Sequence, residues 1–294
     1  MKQRVITAAV LLALLAVVVW QIYTPLFVIV FAFLSAVAAN EIMKCAKVKN
    51  KFIVIFGTIV AAFIPLTSSE SIMRPWFSEE VWGNFISILP PGALIAVVVI
   101  AFFVAMIFDY KETKFEDVAV SVVASVLVPY GFAMFGALRD YYDYRSPVGV
   151  YLIFYGLICA LGTDTGAQLG GMAFGKHKLC PNISPKKTVE GAVCGVITGV
   201  FLNVIALLLY NRFASSTLDR SFVITLMVCA PFVGVFSMLG DLTASVLKRN
   251  FDVKDFGKIF PGHGGVMDRF DSSLFTVPLT FVIVSVFDAF FRMR

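Results

Sequence analysis

Long apolar runs alternate with short polar loops along the whole of this 294-residue chain. The runs lie near 5–21, 24–41, 52–67, 90–108, 118–138, 148–163, 189–210, 221–240 and 273–291. Each approaches the roughly 17–25 residues that a helix needs to cross about 30 Å of hydrocarbon. They are continuously apolar rather than alternating, which predicts bundled helices and not a barrel. The pattern therefore predicts an all-α polytopic membrane protein with about nine transmembrane helices. Pro65, Pro129, Pro231 and Pro278 interrupt several of them.

Composition excludes a water-soluble domain. Hydrophobic residues make up 59% of the chain and charged residues 15%, where a soluble domain carries about a quarter charged. Mean hydropathy is +0.89. Lys2 and Arg4 ahead of the first run resemble a signal peptide, but residues 21–25 offer no small-x-small cleavage site and a second run follows at once. That predicts a retained first span. Five cysteines, odd in number and without CxxC spacing, predict neither a structural disulfide nor a cysteine metal site.

Charge sets the orientation. With the N-terminus on the cytoplasmic side, every lysine falls in a cytoplasmic loop or tail, together with Arg4, Arg249 and Arg269. The opposite side holds only Arg74, Arg139, Arg145, Arg212, Arg220, Arg292 and Arg294 and an acidic stretch near 70–80. This is the positive-inside bias. The net charge of +5 is thus first a topological signal, and no feature suggests a nucleic-acid partner.

The chain divides into an N-terminal transmembrane scaffold of about six spans, 1–161, and a region, 162–294, expected to carry the chemistry. Loops 163–188 and 241–272 of that region are the densest in Gly, Lys and Asp. Both fall on the cytoplasmic face, where a soluble anion such as a nucleotide meets something drawn from the bilayer.

In the second loop, a helix continued past Gly240 would set Asp241, Ser245 and Lys248 on one face, at i, i+4 and i+7. Asp268 and Asp271 are spaced i, i+3 at the start of the last span. Carboxylates gathered this way would repel. Mg²⁺ between them, with phosphates supplying further oxygens, makes a phosphoryl-transfer site, with Lys248, Arg249, Lys254 and Arg269 around it. A solvated, positively charged loop is the plainer alternative. It does not need Pro261-Gly262-His263-Gly264-Gly265, whose glycines let backbone N–H groups approach an anion closely and place His263 as a phosphate donor.

The first loop carries Asp164-Thr-Gly-Ala and then Ser184-Pro-Lys-Lys-Thr-Val-Glu-Gly191. Gly170-x4-Gly175-Lys176 has the start of a Walker A loop, but His177 follows where Mg²⁺ coordination needs Ser or Thr, and no strand precedes it. The P-loop reading fails. In the second stretch, Ser184 or Thr188 can cap the seventh span, with Lys186 and Lys187 near the positive helix end; a simple capped juxtamembrane helix is the alternative. Gly191, Gly195 and Gly199 recur every fourth residue, a stripe that permits close helix contact, either within the chain or with a second subunit.

From Ser245 to Asp271 the chain resembles the signature of the phosphatidate cytidylyltransferases, or CDP-diacylglycerol synthases. Ser245, Lys248, Arg249, Lys254, Asp255, Gly257, Phe260, Pro261, His263, Gly264, Gly265, Asp268, Arg269 and Asp271 all fit it. Asp164-Thr-Gly-Ala and the 184–191 stretch are similar to that family's upstream motifs, although Gln168 and Val189 stand where many members carry aromatic residues. The resemblance implies CTP + phosphatidate → CDP-diacylglycerol + pyrophosphate, on a helical membrane fold that is commonly a homodimer. It implies Mg²⁺ held by Asp241 and Asp268, with K⁺ as a candidate second ion.

Motifs and resemblance together give Asp241, Asp268, Lys248, Arg249, His263 and Asp271 as catalytic candidates. Asp164, Ser184, Lys186, Lys187, Thr188, Glu190, Ser245, Lys254, Gly264, Gly265 and Arg269 are the substrate-binding candidates. The expected location is the bacterial cytoplasmic membrane. Two other readings compete. A CTP-dependent lipid-alcohol kinase would transfer the terminal phosphate, and a transporter would show charges in mid-span and internal repeats.

Overall fold

The structure, a computed structural model, describes residues 13–67, 91–142, 146–214 and 218–291. Much of the first expected span, the acidic stretch near 70–80, and Lys2, Arg4, Arg74, Arg145, Arg292 and Arg294 lie outside the described residues. Residues 13–20 are helical, and the later apolar runs are all helices. They are α1 (Pro25–Cys45), α2 (Lys51–Thr67), α3 (Pro91–Phe108), α4 (Phe115–Arg139), α5 (Pro147–Phe174), α6 (Val189–Phe213), α7 (Arg220–Asn250) and α8 (Ser273–Phe291). Among the described residues six of these, α1 and α4 to α8, are long and apolar enough to cross a membrane, and α2 and α3 are shorter apolar helices. A two-stranded antiparallel hairpin, β1 (Lys178–Cys180) and β2 (Ser184–Thr188), joins α5 to α6.

The chain is an integral membrane protein, and helix α6 is built inside out relative to a soluble fold. On α6, Ile197 is 63% exposed and Phe201 62%, while Gly191, Gly195, Gly199 and Asn203 are buried. Apolar side chains outward and small or polar ones inward suit a hydrocarbon solvent, because tails gain nothing from hiding leucine but backbone polar groups must be satisfied inside.

Two compact units form, one from Met1–Asp140 with Val253–Arg269, the other from Tyr141–Asp252 with Phe270–Arg294. In the first, the Ser35 hydroxyl of α1 donates to Ala61 O of α2 (2.7 Å), and Phe31 stacks on Phe135 of α4 with centroids 4.4 Å apart. Arg139 is wholly buried; it pairs with Asp140 at 2.7 Å and donates to Ile22 O, as a buried charge must. Helix α4 widens into a π turn at Val123–Leu127, just ahead of Pro129. Proline lacks an N–H and its ring crowds the carbonyl four residues back. The wider turn takes up that misfit, and Val128 N–H bonds Val123 O instead.

In the second unit α5 and α6 meet glycine to glycine. A Cβ on Gly195 would sit 2.6 Å from Thr163 O, and one on Gly191 2.6 Å from Ala167 O. The α6 stripe therefore has its partner within the chain, and α5 answers it with Gly162, Gly166 and Gly170, also spaced by four. Tyr155 donates to Leu226 O (2.7 Å), tying α5 to α7.

Candidate functional site

In the second unit, the expected site residues arrive on five pieces of backbone: α5, the hairpin, α6, α7 and the turn before α8. Helix α5 runs through Asp164 and on to Phe174 instead of ending near 163, so Gly170 is helical and no phosphate loop forms there. The hairpin follows, with Lys178 opposite Thr188 and Cys180 opposite Ser184. Glu190 holds its base, accepting the N–H groups of Lys176 (3.0 Å) and His177 (3.2 Å) and meeting His177 Nδ1 at 2.6 Å. Thr188 is the N-cap of α6, its hydroxyl accepting Gly191 N–H at 3.1 Å. Strand alternation then separates the two lysines: Lys186 is exposed and Lys187 turns inward.

Lys187 Nζ lies 2.5 Å from Asp241 Oδ2. Helix α7 does continue past Gly240, to Asn250, so Asp241, Ser245 and Lys248 share a face as the spacing predicts; Arg249 is exposed near the helix end. Gly240 lets α7 approach the turn before α8, for a Cβ there would be 2.6 Å from Asp271 O. In that turn Ser272 donates its hydroxyl to Asp164 Oδ2 (3.0 Å) and its N–H to Asp271 Oδ1 (2.7 Å). Ser272 is a member of the cluster that the sequence reading missed. Removal from water, then the charges of Asp241 and Asp164, push the Asp271 carboxyl up to about 7.

The first unit holds the other half of the signature. Its loop closes on itself through a bridge between Phe260 and Gly264, with His263 N–H donating to Phe260 O (2.8 Å). Gly262 and Gly264 have φ of 77° and 86°, a backbone region costly for other residues. Asp268, on the helical turn Met267–Phe270, accepts the N–H groups of Phe256 (2.8 Å) and Gly265 (3.0 Å) through Oδ2. The anion that Gly265 approaches is thus the protein's own carboxylate. Lys254 and Arg269 are exposed, and His263 is half-buried. Glu41 of α1, which nothing in the motif pattern singles out, accepts Val266 and Met267 N–H at 3.1 Å each.

Asp164, Asp241, Asp268 and Asp271 supply hard oxygens of the kind magnesium takes; burial is the chief cause of the raised Asp271 carboxyl, and the charges of Asp241 and Asp164 add to it, a repulsion that a cation relieves. Among the described residues no three His, Cys, Asp or Glu side chains converge to hold a metal unaided. Magnesium that keeps its waters and takes phosphate oxygens needs only one or two carboxylates, so the donor set fits a metal that arrives with a nucleotide.

Known proteins share this arrangement of sequence from end to end. A phosphatidate cytidylyltransferase of Bacillus subtilis (strain 168) is 33% identical over 291 residues, covering 98% of each chain. One of Staphylococcus epidermidis is 33% identical over 287 residues, 97% of this chain and 99% of its own, and one of Staphylococcus aureus (strain COL) is 32% identical over the same length. The pattern of the Cytidylyltransferase family matches residues 2–287, and with so complete a match the chain belongs to that family.

Proposed function

We propose that this chain is a phosphatidate cytidylyltransferase, joining CTP and phosphatidate to give CDP-diacylglycerol and pyrophosphate. Full-length kinship with enzymes of that name carries the reading, and the ion pair of Lys187 with Asp241, near the carboxylates of Asp271 and Asp164, supports it. A phosphatidate oxygen attacks the α-phosphorus of CTP, a P–O bond forms, and the bond from the α-phosphorus to its bridging oxygen breaks as pyrophosphate leaves. The attacking phosphate has its second pKa near 6, so it is largely ionised at neutral pH and needs no general base. Lys187 and Lys248 spread the negative charge that two phosphates bring together. Asp241 and Asp268 would hold Mg²⁺, which supplies charge neutralisation on the phosphate oxygens, and K⁺ is the candidate for a second, monovalent ion.

The same reading takes nine spans, an N-terminus in the cytoplasm and a site facing the cytoplasm of a bacterial cell. The bias of lysine toward one set of loops supports it, as do the bacterial relatives. A homodimer is the assembly it proposes. Membranes holding the protein, given phosphatidate and CTP labelled at the α-phosphate, are expected to put label into lipid. Label appearing only in released CDP would favour a kinase instead, and no transfer at all would favour a transporter.

A further inference from the structure

Helix α1 is largely apolar until Asn40 and Glu41, near its C-terminal end. Glu41 is 8% exposed, a poor place for a carboxylate unless several donors reach it. The donors come from the 253–269 loop, for Val266 and Met267 both give it their N–H groups. The next N–H back along the loop, that of Gly265, goes to Asp268. Three successive backbone donors are therefore shared out between two carboxylates. Gly257 and Gly265 leave the room this needs, since a Cβ on either would run into the Glu41 carboxylate. The Cys45 thiol, one turn further along α1, donates to Phe256 O (3.2 Å), and Phe256 N–H is the other donor to Asp268.

We infer that Glu41 is a positioning residue for Asp268: by taking Val266 and Met267 N–H it fixes the backbone from which Asp268 projects and keeps those donors off the Asp268 carboxylate. Without Glu41, two buried N–H groups beside Asp268 would lack an acceptor, and the nearby carboxylate is the group able to satisfy them. Charge drawn into backbone bonds is charge withdrawn from a cation. The inference rests on the reading of Asp268 as a magnesium ligand.

Glu41→Gln is the test, because glutamine keeps the volume but offers one acceptor oxygen and turns an NH₂ toward the second N–H. In magnesium-free protein in detergent, hydrogen exchange at Val266 and Met267 is expected to speed up while the amides of α5 and α6 keep their rates. In turnover, the magnesium concentration giving half-maximal rate is expected to rise about ten-fold or more, with kcat at saturating magnesium within a few-fold of wild type and partial rescue by Glu41→Asp. An unchanged magnesium response overturns the inference. So does a lowered melting temperature with kcat reduced equally at every magnesium concentration, the mark of a merely structural residue. Asp268→Asn separates the two ideas. If it loses magnesium-dependent turnover while Glu41→Gln responds as wild type, only the positioning role fails; if it keeps turnover, the metal reading falls and the inference with it.

Discussion

Lys187 and Asp241 form a half-buried ion pair, Nζ to Oδ2 at 2.5 Å, between the fourth residue of strand β2 and the C-terminal third of helix α7. The neighbouring Lys186 points into solvent. A pair that motif reading treats as equivalent is thus split by the pleat of a five-residue strand.

Lys187→Ala is expected to lower kcat/KM by roughly 10²-fold, the scale of losing one fixed charge donor at a reacting phosphate. Lys186→Ala is expected to stay within a few-fold of wild type. Steady-state rates for the two variants check the asymmetry, and equal losses would remove the distinction between them.

Asp241→Asn and Asp268→Asn are each expected to abolish magnesium-dependent turnover while the protein remains monodisperse in detergent. Wild-type activity in both variants would end the assignment of magnesium to these residues.

Asp271 should show itself in the pH dependence of stability. Its carboxyl is raised from 3.8 to about 7 by removal from water and then by Asp241, so the folded state favours the protonated form. The stability this contributes is complete below about pH 4 and is lost as pH rises through about 7. In magnesium-free protein, Asp271→Asn is therefore expected to melt progressively higher than wild type as pH climbs through that window, and to match it most closely at the acid end. A difference in melting temperature independent of pH would refute the assignment.

Gly195→Ala is expected to destabilise the protein by about 1–3 kcal/mol, the usual cost of overpacking, because the new methyl would meet Thr163 O at 2.6 Å. Gly92→Ala is the control, with nothing within 4 Å of the added carbon. Thermal unfolding in detergent compares the two.

Helices α1 to α8 are legible in the chain because a bilayer demands unbroken apolar runs, so length alone marks a span. Where α5 and α7 stop is not, since hydropathy falls near 163 and 240 while helical hydrogen bonding continues to Phe174 and Asn250. Beyond the hydrocarbon, polarity no longer decides between helix and loop. The glycines at 191, 195 and 199 announce a close helix contact, but only packing shows that its other side is Gly162, Gly166 and Gly170. Glu41 stayed hidden for a different reason: a single acid at the end of an apolar run reads as an interfacial charge, and its partners Val266 and Met267 are more than two hundred residues away.

Thr188 is boxed in by three glycines. A Cβ on Gly171, Gly175 or Gly191 would lie 3.0, 2.9 or 2.9 Å from its hydroxyl oxygen. Because Lys187 is the residue just before it, anything that displaces Thr188 also shifts the lysine away from Asp241. A genetic screen for lost activity would accordingly return these three glycines among its strongest hits, although none of them carries a side chain with which to touch a substrate.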